Sequence, residues 1–271
     1  METLIAYGLF LVIGLILGVI GGGGSILSVP VLVYILHYPV QTATAYSLFI
    51  VGLTALIGGA AYFRRGDVCF ESLMQFAIPS LVSVFLVRKY LIPNLPEVFF
   101  NVGDFIVSKQ VFIMILFSIL VVFSSLSMIR KQDRNDRVDA MWDEFSKSPI
   151  RIYFVIFIAI LVGLITGFVG AGGGFIIIPV LIFFIRVPIK KSIGTSLSII
   201  AINSLIGFVG NLGIIEVDWK FLLTVSALCI IGILVGNSFS MKLTPTKLKP
   251  AFGWFTLIVS IFVVLKEIIK F

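Results

Sequence analysis

Apolar residues occur along this chain in blocks of membrane length, at residues 4–20, 44–63, 72–90, 109–129, 151–170, 193–212, 220–238 and 250–269. A helix crossing the roughly 30 Å hydrocarbon layer needs about 20 such residues, so each block predicts a spanning helix. Two further apolar pieces, 26–36 and 175–185, are shorter. At about 1.5 Å per residue they reach some 16 Å, half the layer, and predict half-helices. Both follow glycine runs, Gly21 to Gly24 and Gly170 to Gly174, the second interrupted only by Ala171. Residues 4–20 lack a basic flank, carry Glu2 just upstream and lead into glycines instead of a cleavage site, so the block reads as a retained helix and not a signal peptide. The predicted fold class is all-α, a polytopic transmembrane helical bundle.

Composition removes the alternatives. Of 271 residues 59% are hydrophobic and 12% charged, with a mean hydropathy of +1.18, where soluble domains carry about 25% charged residues. The 26 phenylalanines exclude disorder as well. A net charge of +7 raises nucleic acid as a partner, but the 20 basic residues lie in short clusters between apolar blocks, where membrane loops place them. Nucleic-acid binding is therefore set aside and the lipid bilayer is the expected partner. Two distant cysteines and a single histidine write no metal spacing and no disulfide framework, so neither metal nor cofactor is expected.

Sliding the chain by 149 residues exposes a duplication. Gly14-Leu15-Ile16 falls on Gly163-Leu164-Ile165, Gly18 on Gly167, Gly21 on Gly170, Gly23-Gly24 on Gly172-Gly173, Pro30-Val31-Leu32 on Pro179-Val180-Leu181, Pro39 on Pro188, and Ser47-Leu48 on Ser196-Leu197. Hydrophobic helices match leucines by chance but do not align glycines and prolines in register. The organisation predicted is a first transmembrane repeat over 1–129, a cytoplasmic connecting loop over 130–149, and a second repeat over 150–271. If each glycine break turns the chain back, the second repeat is inverted, and about 14 basic residues gather inside against 6 outside. The excess of Lys and Arg in cytoplasmic loops favours that arrangement, and inverted repeats are characteristic of secondary transporters. Each repeat then carries a Gly-broken helical hairpin or re-entrant half-helix.

The breaks are the candidate site. Irregular backbone at membrane depth is tolerated where it is buried in protein or lines a wet cavity. The first turn of a helix leaves N–H groups without intrahelical acceptors, and with the helix dipole these attract anions. Gly22, Gly23, Gly24 and Ser25 in the first half, and Gly172, Gly173 and Gly174 in the second, are thus candidate substrate-binding residues. Ser47 and Ser196 join them because they repeat, and Asn203 because its amide needs a partner in hydrocarbon. Apart from Glu267 near the end of the block 250–269, no Asp or Glu falls inside an apolar block, which removes the usual cation partners, and no basic residue is expected deep in the membrane. No catalytic constellation stands at membrane depth, so an enzyme is not expected.

The repeated glycine-rich hairpin, the Pro-Val-Leu helix after it and the Ser/Thr-containing span that follows resemble the sulfite exporter TauE/SafE family. The resemblance covers Gly14 to Val68, Gly163 to Trp219 and the closing stretch with Gly232, Gly236 and Pro245 to Gly253. It implies a permease of the cell (inner) membrane, an exporter or facilitator of small sulfur-containing anions such as sulfite or organosulfonates, with a homodimer left open. Val87 stands where the second copy has Gly236, and Asn94 to Lys109 forms an extra connection, both departures from the pattern. The rival reading is a channel-like pore or a structural membrane protein without a transport cycle.

Overall fold

The computed structural model describes residues 2–96, 98–102, 105–129, 150–170, 172–185, 187 and 189–240, together with six positions between 253 and 261. The predicted loop 130–149, most of the block 250–269 and the basic residues Arg186, Lys242, Lys247 and Lys249 lie outside the described residues.

The first half opens with α1 (Glu2–Ile20) and turns at the glycines into α2 (Ser25–Pro30), which continues as a π-helical turn, Val31–Ile35. Then come α3 (Val40–Arg64) and α4 (Phe70–Leu86), the latter running on through a second π turn, Val87–Leu91, to Ile92–Asn94. The extra connection folds as a two-stranded antiparallel hairpin, β1 (Val98–Val102) with β2 (Phe105–Ser108), ahead of α5 (Lys109–Ile129). The second half supplies α6 (Ile150–Val169), the short α7 (Gly174–Phe183), α8 (Ile189–Val209) and α9 (Trp219–Ser240). That hairpin and an isolated bridge between Leu212 and Ile215 apart, the regular structure among the described residues is helical. Five helices are long and apolar enough to cross a membrane, while Leu4–Ile20 and Ser25–Ile35 are shorter apolar helices. Ile78, Phe157, Leu223 and Trp254 are among the large apolar side chains left on the outer surface, the belt that a bilayer covers.

The long helices pack mainly across the halves, while within each half the short helix after the break lies on the span that follows it, α2 on α3 and α7 on α8. α1 lies on α9 and, correspondingly, α6 lies on α4; α3 lies on both α8 and α9, and α8 on α4. Exchanging the two copies leaves this pattern unchanged. Along α3 and α8 the contacts run in opposite order: added Cβ atoms would bring Gly207 to Leu48, Gly52 to Leu205 and Gly58 to Leu197. The two equivalent helices are antiparallel. α1 and α9 are parallel, Gly14 meeting Cys229 and Gly18 meeting Ile233 and Gly236, and α6 and α4 are parallel by the same reasoning, Gly163 meeting Ser80 and Gly167 meeting Val87.

Close approach explains the glycines on these faces. Gly14 and Gly18 of α1 face Gly232 and Gly236 of α9, two small-xxx-small stripes in mutual contact. In lipid, where apolar burial supplies no driving force between helices, such backbone proximity supplies the packing. On the other side Val87 replaces the second glycine of the stripe. A Cβ on Gly167 would lie 2.8 Å from that of Val87, so Gly167 makes the room that α4 does not.

Candidate functional site

At the first break, Gly21 ends α1 with φ 79° and donates its N–H to the Leu17 carbonyl at 2.7 Å. The N–H groups of Ser25, Ile26 and Leu27 then turn back onto the carbonyls of Gly22, Gly23 and Gly24 at 3.2 to 3.4 Å. Ser25 also donates its hydroxyl to the Gly22 carbonyl at 2.7 Å. Ser28 donates to the Ser25 carbonyl at 2.6 Å and pairs with Ser47 of α3. The first half-helix is therefore braced by its own hydroxyls, and its first-turn donors are largely engaged. Gly24 accepts the close approach of α1: a Cβ there would stand 2.5 Å from the Ile13 carbonyl oxygen.

The second break is built differently. Gly170, Gly172 and Gly173 all adopt left-handed backbone, φ 69° to 71°, a conformation glycine enters without steric cost. Gly173 caps α7, and its carbonyl accepts the N–H groups of Ile176 and Ile177, both at 3.0 Å. No serine stands where Ser25 and Ser28 do in the first copy; Gly174 and Ile177 occupy those places.

The two breaks touch. A Cβ on Gly22 would lie 3.0 Å from Gly174 Cα, and one on Gly174 would lie 2.7 Å from Gly22 Cα. Ile200 of α8 packs against both glycines and against Gly172. Of the glycines singled out in the two copies, Gly22 and Gly174 thus meet beside the α3–α8 crossing, whereas Gly24 faces α1, Gly172 faces Ser204 and Val51, and Gly173 faces Thr166. Ser196 joins them, donating toward the Gly21 carbonyl from α8, with the Ile193 carbonyl 2.8 Å away. Ser47 stands at the first break only, through Ser28. Asn203 lies apart from both: fully enclosed in α8, it donates its amide to Ser80 Oγ of α4 at 2.9 Å, and that hydroxyl has the Phe76 carbonyl at 2.7 Å. It ties two spans together.

Two polar side chains that sequence patterns did not single out stand at the second break. Arg88, in the π turn of α4, is 0% exposed: the protein encloses a basic side chain beside the break, where the expectation was of no basic residue deep in the membrane. Its Nη1 donates to Thr44 Oγ1 at 2.9 Å and its Nη2 to the Phe168 carbonyl at 3.5 Å, while Nε has no partner. A Cβ on Gly170 would collide with the guanidinium and with Thr44. Ser204 of α8, also 0% exposed, has a hydroxyl without a partner, and a Cβ on Gly172 would lie 2.8 Å from it. A signal for Arg88 existed in the repeat, since a shift of 149 lays it on Asn237, and both positions are buried. Charges inside membrane helices are rare and mark function by default.

Five apolar spans, two facing glycine breaks and packing that survives exchange of the halves define a multi-pass membrane protein of transporter type. The chain belongs to the family described as Sulfite exporter TauE/SafE, whose sequence model matches residues 6–263. It is 29% identical over 256 residues to a probable membrane transporter protein of Xylella fastidiosa, covering 93% of this chain and 91% of that one. It is 26% identical over 233 residues to the probable membrane transporter protein YunE of Bacillus subtilis, covering 79% and 81%. A probable membrane transporter protein of Methanocaldococcus jannaschii is 24% identical over 220 residues, covering 78% and 74%. No solved structure matches the chain.

Proposed function

We propose that this protein is a secondary transporter, an exporter or facilitator of small sulfur-containing anions such as sulfite or organosulfonates, working in the inner cell membrane as a carrier without catalysis. The observation that carries the reading is the contact between Gly22 and Gly174. Two equivalent breaks meeting beside antiparallel α3 and α8 are what an inverted repeat brings together, and substrate sites of transporters lie where such repeats join. Inversion places Arg64 and Arg65 inside with the 130–149 loop, and Glu216 and Asp218 outside, in keeping with the bias of basic residues. Substrate class comes from the family and from the chemistry of the second break, whose glycine backbone at the start of α7 suits an anion.

Flux tests it. Proteoliposomes should move sulfite, thiosulfate or sulfoacetate above protein-free vesicles and above a phosphate control; equal flux for phosphate removes the sulfur reading, and none for any anion removes transport. Orientation is checked separately with single cysteines. A cysteine at position 216 should react with an impermeant reagent added outside, and one at position 190 should not.

A further inference from the structure

We infer that Arg88 is the fixed cation of an oxyanion site at the second glycine break, an inference that rests on the transport reading above and says which residue grips the ion. A guanidinium carries five N–H donors in a planar fork. Thr44 Oγ1 takes one at 2.9 Å, the Phe168 carbonyl lies at the limit of hydrogen-bond distance, 3.5 Å, and Nε–H has no acceptor. Among the described residues no carboxylate pairs with Arg88. A wholly enclosed cation without a counter-charge is unfavourable unless a ligand supplies one, and the carbonyl end of α6 offers only partial negative charge.

The surroundings are those of a built cradle. Ser204 brings a second enclosed donor, also unpartnered, to the other flank of the same backbone turn. Between the two, Gly170 and Gly172 present backbone with no side chain, and a Cβ on either would overlap or crowd Arg88 or Ser204. Arg88 sits in a π-helical turn, a distortion that recurs at functional sites. The fork of a guanidinium matches two oxygens of one oxyanion, which a point charge on lysine does not. Sulfite and a sulfonate both present such oxygens, and so does a phosphate. Under the repeat the matching position in the second half is the neutral Asn237, so the charge stands on one side only of the meeting point of the two halves. Transport would then have an electrostatically tight half-site and a looser one.

Thermal unfolding of the purified full-length chain in dodecyl maltoside, a detergent without phosphate, tests this against sulfite, thiosulfate, sulfoacetate, inorganic phosphate and added phosphatidylglycerol, with proteoliposome flux alongside. The wild type should be stabilised by an anion of the panel. Arg88→Gln should keep its unliganded midpoint while losing about tenfold or more in affinity and in flux KM. Arg88→Lys should fall between them, and Ser204→Ala should lose about threefold. Should Arg88→Gln fail to fold, the graded losses in Arg88→Lys and Ser204→Ala carry the same comparison. Wild-type affinity in Arg88→Gln, or in both of the milder variants, overturns the site, as does a wild type stabilised by none of these anions. Sulfur-anion flux with unchanged KM in Arg88→Gln sinks Arg88 and leaves the transport reading intact. Arg88-dependent binding of phosphate or phosphatidylglycerol, without any sulfur anion, upholds the cationic site and removes the sulfur reading.

Discussion

The two glycine breaks descend from one pattern and have been finished in opposite ways. The first is closed on itself: Ser25, Ser28 and Ser47 form a chain of hydroxyls whose protons end on the Gly22 and Ser25 carbonyls or on each other. The second has no hydroxyl of its own in the matching places, runs through three left-handed glycines and borders two enclosed polar groups that lack full partners, Arg88 and Ser204. A saturated network is rigid, whereas idle buried donors raise the free energy of a site until something binds. The shared glycine register goes with where the chain breaks, and a few side chains set which break is braced and which leaves enclosed donors idle.

The sharpest way to break this comparison is to fill the contact itself. Gly174→Val would drive its side chain against the Gly22 carbonyl, 2.5 Å from the added Cβ, and should destabilise by about 4 kcal/mol or more with loss of flux, since rigid backbone blocks relaxation. Gly8→Ala, where a Cβ meets nothing within 4 Å, serves as control and should hold the wild-type midpoint or gain slightly. Thermal unfolding and membrane abundance of the pair decide it; an intact Gly174→Val would mean that the breaks do not touch.

The tie between spans comes next. Asn203→Ala strands Ser80 of α4 without its amide partner, and a double-mutant cycle over Asn203 and Ser80 should give a coupling of about 1 kcal/mol. Zero coupling would mean that the two side chains are independent.

Smaller still is the contrast between hydroxyls. Ser47→Ala removes an engaged group and should cost about 1 kcal/mol, and Ser196→Ala about the same through the Gly21 carbonyl. Ser204→Ala removes an unpartnered one and should be neutral to within about 0.5 kcal/mol, or stabilising, in the absence of anion. Equal losses at all three positions would erase the distinction between a braced break and a receptive one.

Much of the architecture was legible because apolar block length and glycine register are local properties of the chain. The block 151–170 became Ile150–Val169, and the half-length piece 26–36 became Ser25–Ile35. The glycine runs that align under the shift are where the two breaks form, and within them Gly22 meets Gly174. What stayed hidden depends on tertiary partners. Arg88 stands two residues from the end of the block 72–90 and carries no pattern of its own in the sequence, but the helix runs on through a π turn to Asn94 and carries the guanidinium inside. Ser47 and Ser196 repeat in sequence yet take different partners, because the Ser28 that receives Ser47 is replaced by Ile177 in the second copy. Asn203 needed a partner, and only the packing of α8 on α4 names it.

The pairing of α1 with α9 also sets a timetable for biogenesis. Gly14 and Gly18 close against residues that are polymerised more than 200 positions later, which at about 5–20 residues per second is tens of seconds of translation. Throughout that interval the grooved face of the first helix has lipid, a translocon wall or a chaperone for a neighbour. Contacts so distant in sequence form late, so a ribosome stalled before α9 leaves a membrane intermediate with its first seam open, the species on which quality-control proteases would act.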